Sequence, residues 1–101
     1  MLRSFAKFYR RIAMEVKVKK PGAEELKTLG VDKWTPWECK PSTFDWEYDC
    51  NETFYVTEGK VSVKHPGGTV SFGKGDLVTF PRGMKCTWTV HETIRKVYKM
   101  H

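Results

Sequence analysis

The chain has 101 residues, 40% of them hydrophobic and 14% aromatic, enough for one domain with a core and too few for two. No run approaches eighteen apolar residues, which excludes a transmembrane helix, and 30% charged residues of both signs exclude a low-hydrophobicity disordered chain. Most of the net charge of +6 comes from residues 1–13, which hold Arg3, Lys7, Arg10 and Arg11 and no acid; the 14 basic and 12 acidic residues beyond them supply no basic face for nucleic acid.

Residues 1–13 read as a short basic amphipathic helix. Leu2, Phe5, Phe8, Tyr9 and Ile12 fall on one arc and the four basic residues on the other. The lack of acids is shared with organelle-targeting peptides. The segment is therefore an extension that sends the protein to a plastid or mitochondrion, a helix packed on the domain, or a tail upstream of a second start at Met14. So short a helix would hold a membrane weakly, so no integral membrane contact is expected. Residues 14–101 form the single domain. MEVKVKK alternates as a strand, Pro21-Gly22 breaks it, and AEELKTL makes one or two helical turns. Short β-type runs follow at about 36–40, 43–49, 52–58, 60–64, 69–72, 77–80, 85–90 and 94–99. Their separators include Asp49-Cys50-Asn51, Glu58-Gly59, Pro66-Gly67-Gly68, Gly73-Lys74-Gly75 and Pro81-Arg82-Gly83. This spacing predicts an all-β barrel or sandwich. The three cysteines form no CxxC pair and are odd in number, which favours an intracellular, reducing compartment, cytoplasmic unless residues 1–13 redirect it.

Alternation assigns the faces. Phe44, Trp46 and Tyr48 share one face of their strand, while Thr43, Asp45, Glu47 and Asp49 share the other. The aromatic face must be the inner one, because burying three carboxylates without partners is costly. Phe54 and Val56 face inward, and Glu52 lies on their side. Cys86, Trp88 and Val90 also point in. Trp34, Pro36 and Trp37 precede the barrel and are expected to pack as a lid or edge cover, or to make a dimer contact.

These motifs resemble the cupins. A cupin's first motif ends in a Glu, six residues and a Gly, as Glu52 and Gly59 do here. Its second runs Gly, five residues, Pro-x-Gly, two residues and a His; here Gly75-Asp-Leu-Val-Thr-Phe leads into Pro81-Arg82-Gly83, Met84-Lys85 and Cys86. The wording around both motifs is similar to small single-domain cupins grouped with the (S)-ureidoglycine aminohydrolase type. The resemblance implies a jelly-roll β-barrel. It also implies that the first-motif His positions fall on Trp46 and Tyr48, the second-motif His on Cys86, and the following Asn on Val90. Of the usual metal ligands only Glu52 remains. His65, His91 and His101 are placed where nothing brings them together, and a catalytic metal needs about three protein ligands. No cofactor and no tightly bound catalytic metal is expected, and elemental analysis tests this.

The candidate site is thus Trp46, Tyr48, Glu52, Cys86 and Trp88. Glu52 among rings would resist ionisation unless paired. It is either an acid, base or ligand anchor, or a carboxylate tied to Tyr48, an indole N–H or a backbone amide. Cys86 is either a nucleophile, if something activates it, or a small buried apolar side chain. The aromatics either plug the barrel or wall a narrow pocket for a small planar or cationic ligand. Three functions follow: a cupin that binds a small molecule without a metal, a metal-dependent ureidoglycine aminohydrolase-like hydrolase, or a structural protein acting as a homodimer. The ligand-binding reading predicts that Glu52→Gln abolishes binding and leaves the fold largely intact.

Overall fold

A computed structural model describes residues 15–101. The amphipathic helix expected over 1–13 lies outside the described residues. Seven antiparallel strands form the body: β1 Lys17–Lys19, β2 Thr35–Cys39, β3 Ser42–Glu47, β4 Glu52–His65, β5 Gly68–Gly73, β6 Leu77–Phe80 and β7 Lys85–Met100. One helix, α1 Ala23–Leu29, follows β1. Gly30 stops it in the left-handed region at φ 70, where its N–H reaches the carbonyls of Leu26 and Lys27.

The eight expected runs condense into fewer, longer strands. Residues 52–58 and 60–64 belong to one strand, β4, and residues 85–90 and 94–99 to another, β7. The turn signal at Glu58-Gly59 makes an irregularity within β4 instead of ending it, and β7 runs unbroken through residues 91–93. β4 and β7 pair along their whole length, from Glu52↔Met100 to Lys64↔Thr87, with register shifts between Val56 and Val61. Gly59 (φ 102) sits in this irregular stretch, and a Cβ there would lie 2.4 Å from the Thr93 carbonyl and 2.7 Å from Ile94 Cα. Only glycine lets the two backbones approach so closely.

Because both strands bend, each serves two sheets. One carries β3, the first half of β7, the second half of β4, and β5. The other carries β2, the second half of β7, the first half of β4, then β6 and β1. The two fold over a core of Phe54, Val56, Val61, Val63, Phe72, Val78, Phe80, Met84, Trp88 and Ile94. The period-2 pattern holds inside it: Phe54 and Val56 are buried, as are Cys86, Trp88 and Val90. Trp37 does not precede the barrel. It lies in edge strand β2, opposite Lys96 of β7, and packs against the core. Pro36 is exposed on the same edge strand, a position where a missing N–H is tolerated.

Candidate functional site

The site begins with a turn that fixes one tyrosine. Pro81-Arg82-Gly83 makes a turn in which Gly83 adopts φ 89. The Gly83 N–H donates to the Tyr48 carbonyl at 2.6 Å, and the Tyr48 N–H donates to Met84 O at 3.0 Å. Asn51 Oδ1 accepts from the Arg82 N–H at 2.8 Å. Tyr48, just past the end of β3, is thereby held against the barrel at 3% exposure, stacked on Phe80 at 4.8 Å between centroids. Asp76 closes the neighbouring turn: it accepts from the Gly73 N–H at 2.8 Å and pairs with Lys20 at 2.9 Å.

Glu52 opens β4 with its side chain directed inward, 5% exposed. Its partner is neither a tyrosine, an indole nor a backbone amide. Lys96 Nζ donates to Glu52 Oε2 at 2.7 Å, and the two side chains are 6% and 7% exposed. Lys96 stands opposite Val56, and Glu52 lies four cross-strand pairs away on the same face, opposite Met100. The lysine stem therefore runs along the sheet past Phe54 to reach the carboxylate. Its ammonium lies 3.9 Å from the Phe54 ring centroid, 4.9 Å from Trp37 and 5.0 Å from Trp88. Each ring face attracts a desolvated cation. Burial draws the Lys96 pKa down, and the Glu52 charge acts against that pull.

Around this pair lies a cavity of about 150 Å³. Trp37, Phe44, Trp88 and Tyr98 form its walls with Tyr48, and Trp46 and Met100 stand at its exposed rim. Phe44 stacks on Trp88 at 5.9 Å, and Trp37 meets Trp88 edge-on at 6.1 Å. The barrel is thus partly filled by its own rings, with a small space left at one end. Of the expected site residues, Tyr48, Glu52 and Trp88 line this space. Trp46 also lines it but is 49% exposed, because β3 is an edge strand and its far end leaves the core uncovered. Cys86 stands opposite Trp46 in register and does not line the cavity. Its Sγ donates to the Trp46 carbonyl at 3.7 Å. Burial is the main cause that pushes the thiol up to about 11; Asp45 adds to it and the Trp88 N–H opposes it. Burial likewise raises Tyr48, with the Glu52 charge adding. Both groups therefore keep their protons at neutral pH. The buried Trp88 indole N–H acts weakly on both the thiol and the phenol but completes no hydrogen bond of normal geometry among the described residues.

Sequence reasoning missed Lys96, Tyr98 and Trp37. In β7 read as one strand, Cys86, Trp88, Val90, Ile94, Lys96 and Tyr98 turn inward while Glu92 is exposed; that alternation was the signal available for Tyr98. Among the described residues no group of three His, Cys, Asp or Glu converges to hold a metal ion. The donor set does not fit one either: the Glu52 carboxylate already holds an ammonium, and Cys86 and Tyr48 are protonated. His91 bonds Ser62 at 2.9 Å and His101 bonds Thr53 at 2.8 Å, both on the surface.

A bent two-sheet barrel closed by long paired strands, with a Glu-x6-Gly crossing and a Pro-x-Gly turn, defines a cupin. The chain belongs to the EutQ-like cupin domain family, which it matches over residues 26–98. It is similar to a DUF861 family protein from Thermotoga maritima, with 52% identity and a TM-score of 0.84 over 86% of this chain and all of that one. The EutQ protein of Clostridium difficile is 27% identical, with a TM-score of 0.61 over 85% of this chain and 67% of that one. A curated relative, Acetate kinase EutQ of Clostridioides difficile strain 630, is 34% identical over 60% of this chain. The chain spans 39% of that relative's length. No helix of the described residues is long and apolar enough to cross a membrane.

Proposed function

We propose that this cupin binds a small uncharged molecule bearing a polar oxygen, and that the Lys96 ammonium supplies the positive charge that a metal ion supplies in other cupins. The observation that carries this reading is the aromatic cavity of about 150 Å³ built around the buried Glu52–Lys96 pair. A cavity of that size accepts a molecule about as large as benzene. Glu52 neutralises Lys96 and repels a free carboxylate, so a short acid such as the acetate in the curated relative's name is disfavoured. An amide, urea or carbonyl compound meets no such repulsion. Its oxygen accepts from Lys96, its N–H groups donate to Glu52, and its apolar part lies on the rings. The (S)-ureidoglycine aminohydrolase-type reading shares the ureido group but relies on a metal that this donor set does not suit.

Trp37, Trp46 and Trp88 border the cavity, so tryptophan fluorescence reports its occupancy. Titration with short amides, ureas and carboxylates is expected to give saturable quenching by the first two and little by the last. Equal response to none of them, or quenching unchanged in Lys96→Met, places binding elsewhere.

A further inference from the structure

The chemistry of the Lys96 amine goes further than a hydrogen bond to the ligand. We propose that Lys96 captures a short aldehyde or ketone as an imine, with Glu52 relaying the proton. This rests on the reading of the cavity as a small-molecule site and names the class of molecule it takes. Three features carry it. Lys96 lines a half-open space of about 150 Å³, in which a short carbonyl compound is held against its amine. A carboxylate stands 2.7 Å from the same nitrogen, within reach for proton transfer in either direction. The surrounding rings of Phe54, Trp37 and Trp88 keep bulk water away, which favours dehydration of the adduct, and their faces stabilise a cationic nitrogen in the product as in the free lysine.

The steps balance without an outside reagent. Glu52 takes a proton from the ammonium, leaving a neutral amine. The nitrogen lone pair attacks the carbonyl carbon, a C–N bond forms as the C=O π bond breaks, and a proton passes from the attacking nitrogen to the oxygen to give a carbinolamine. Glu52 then delivers the proton it holds to the hydroxyl, the C–O bond breaks, and water leaves. The product is a protonated imine that still faces the Glu52 carboxylate. No electron is gained or lost, and addition of water reverses the sequence. An activated lysine in an apolar pocket is a general nucleophile towards carbonyl carbon.

The test is reductive trapping on the full-length chain. Protein is mixed with propanal and borohydride, and the adduct is located by peptide mass mapping. Propyl transfer is expected at Lys96 before exposed lysines such as Lys60 and Lys85, with saturation in propanal concentration. Lys96→Arg, checked for folding by circular dichroism, is expected to lose this adduct, and Glu52→Gln to form it about a hundredfold more slowly. A naphthaldehyde, too large for the cavity, is expected to spare Lys96. Mapping the wild-type protein decides the matter even where a variant does not fold: adducts confined to exposed lysines overturn the proposal. Propanamide, which has the same size and cannot form an imine, separates the two readings. Saturable propanamide quenching with Lys96 unlabelled overturns imine capture and leaves the binding site intact. Neither quenching nor labelling overturns both. Labelling of Lys96 that propanamide blocks supports both.

Discussion

At the scale of single residues, the Glu52–Lys96 pair decides what a substitution does. Glu52→Gln leaves an ammonium buried among rings without its counter-charge. Such a loss costs about 3 kcal/mol, more than an isolated carboxyl would imply, so the expected outcome is a clear fall in chemical-denaturation midpoint together with lost ligand binding. The double change Glu52→Leu with Lys96→Met removes both charges and is expected to recover most of that stability while binding stays lost. Recovery of neither would show that the pair does not act as a unit. Cys86 gives a second prediction. Its folded thiol holds its proton up to about 11 against 9.0 for a free cysteine. Its contribution to stability is therefore full below about pH 9 and lost as pH rises through about 11. Iodoacetamide at neutral pH is expected to alkylate exposed Cys50 quickly and Cys86 slowly. Comparable rates would refute the assignment of a protonated, sheltered thiol. Alternation placed Tyr48, Glu52, Cys86 and Trp88 on the inner surface because side-chain direction along a strand is a local property. Lys96 was not legible in the same way. A lysine reads as a solvated side chain unless a buried acid is known to await it, and that acid lies 44 positions away in sequence.

At the scale of elements, β4 and β7 are the instructive case. Turn residues predicted four strands where two occur, because Gly59 carries two meanings that a single sequence does not separate: a chain reversal or a close crossing. The structure shows the crossing. Backbone atoms of Thr93 and Ile94 occupy the space a side chain at 59 would need, and its φ is 102. Gly59→Ala therefore combines left-handed strain with a backbone clash and is expected to cost about 3 kcal/mol. Thermal denaturation checks it. A melting temperature unchanged from wild type would mean that the two strands part easily. The same substitution at Gly75, which has positive φ but nothing within 4 Å, should cost less, and the difference measures the clash alone. The second motif was more transparent. Pro81-Arg82-Gly83 read as a turn, and it is one; its further task, fixing the Tyr48 backbone through the Gly83 N–H, depends on a residue 35 positions earlier and left no local trace.

At the scale of the whole molecule, composition and strand spacing were sufficient for the fold class, and the cupin resemblance for the topology. The two long strands make both sheets parts of one body, so the domain is expected to unfold as a single unit. Native-state hydrogen exchange would then show amides at both ends of β4 opening with one free energy; two separate classes would contradict it. Among the described residues, strands β1, β2, β3 and β5 each pair on one side only, leaving edges through which a homodimer could form. Native mass spectrometry of freshly purified protein is expected to show no stoichiometric Mn, Fe, Ni or Zn, and reads the subunit number in the same spectrum. One equivalent of such an ion per chain would mean that Glu52 exchanges its lysine for a metal.

A positive charge supplied by the polypeptide itself arrives with translation. If Lys96 plays the part proposed for it, such a barrel needs no loading step and no metallochaperone, and a chelator in the medium is expected to leave its binding untouched. What it surrenders is exchangeability: a lysine cannot be swapped for another ion to alter reactivity, so any change in chemistry at this site has to come by mutation.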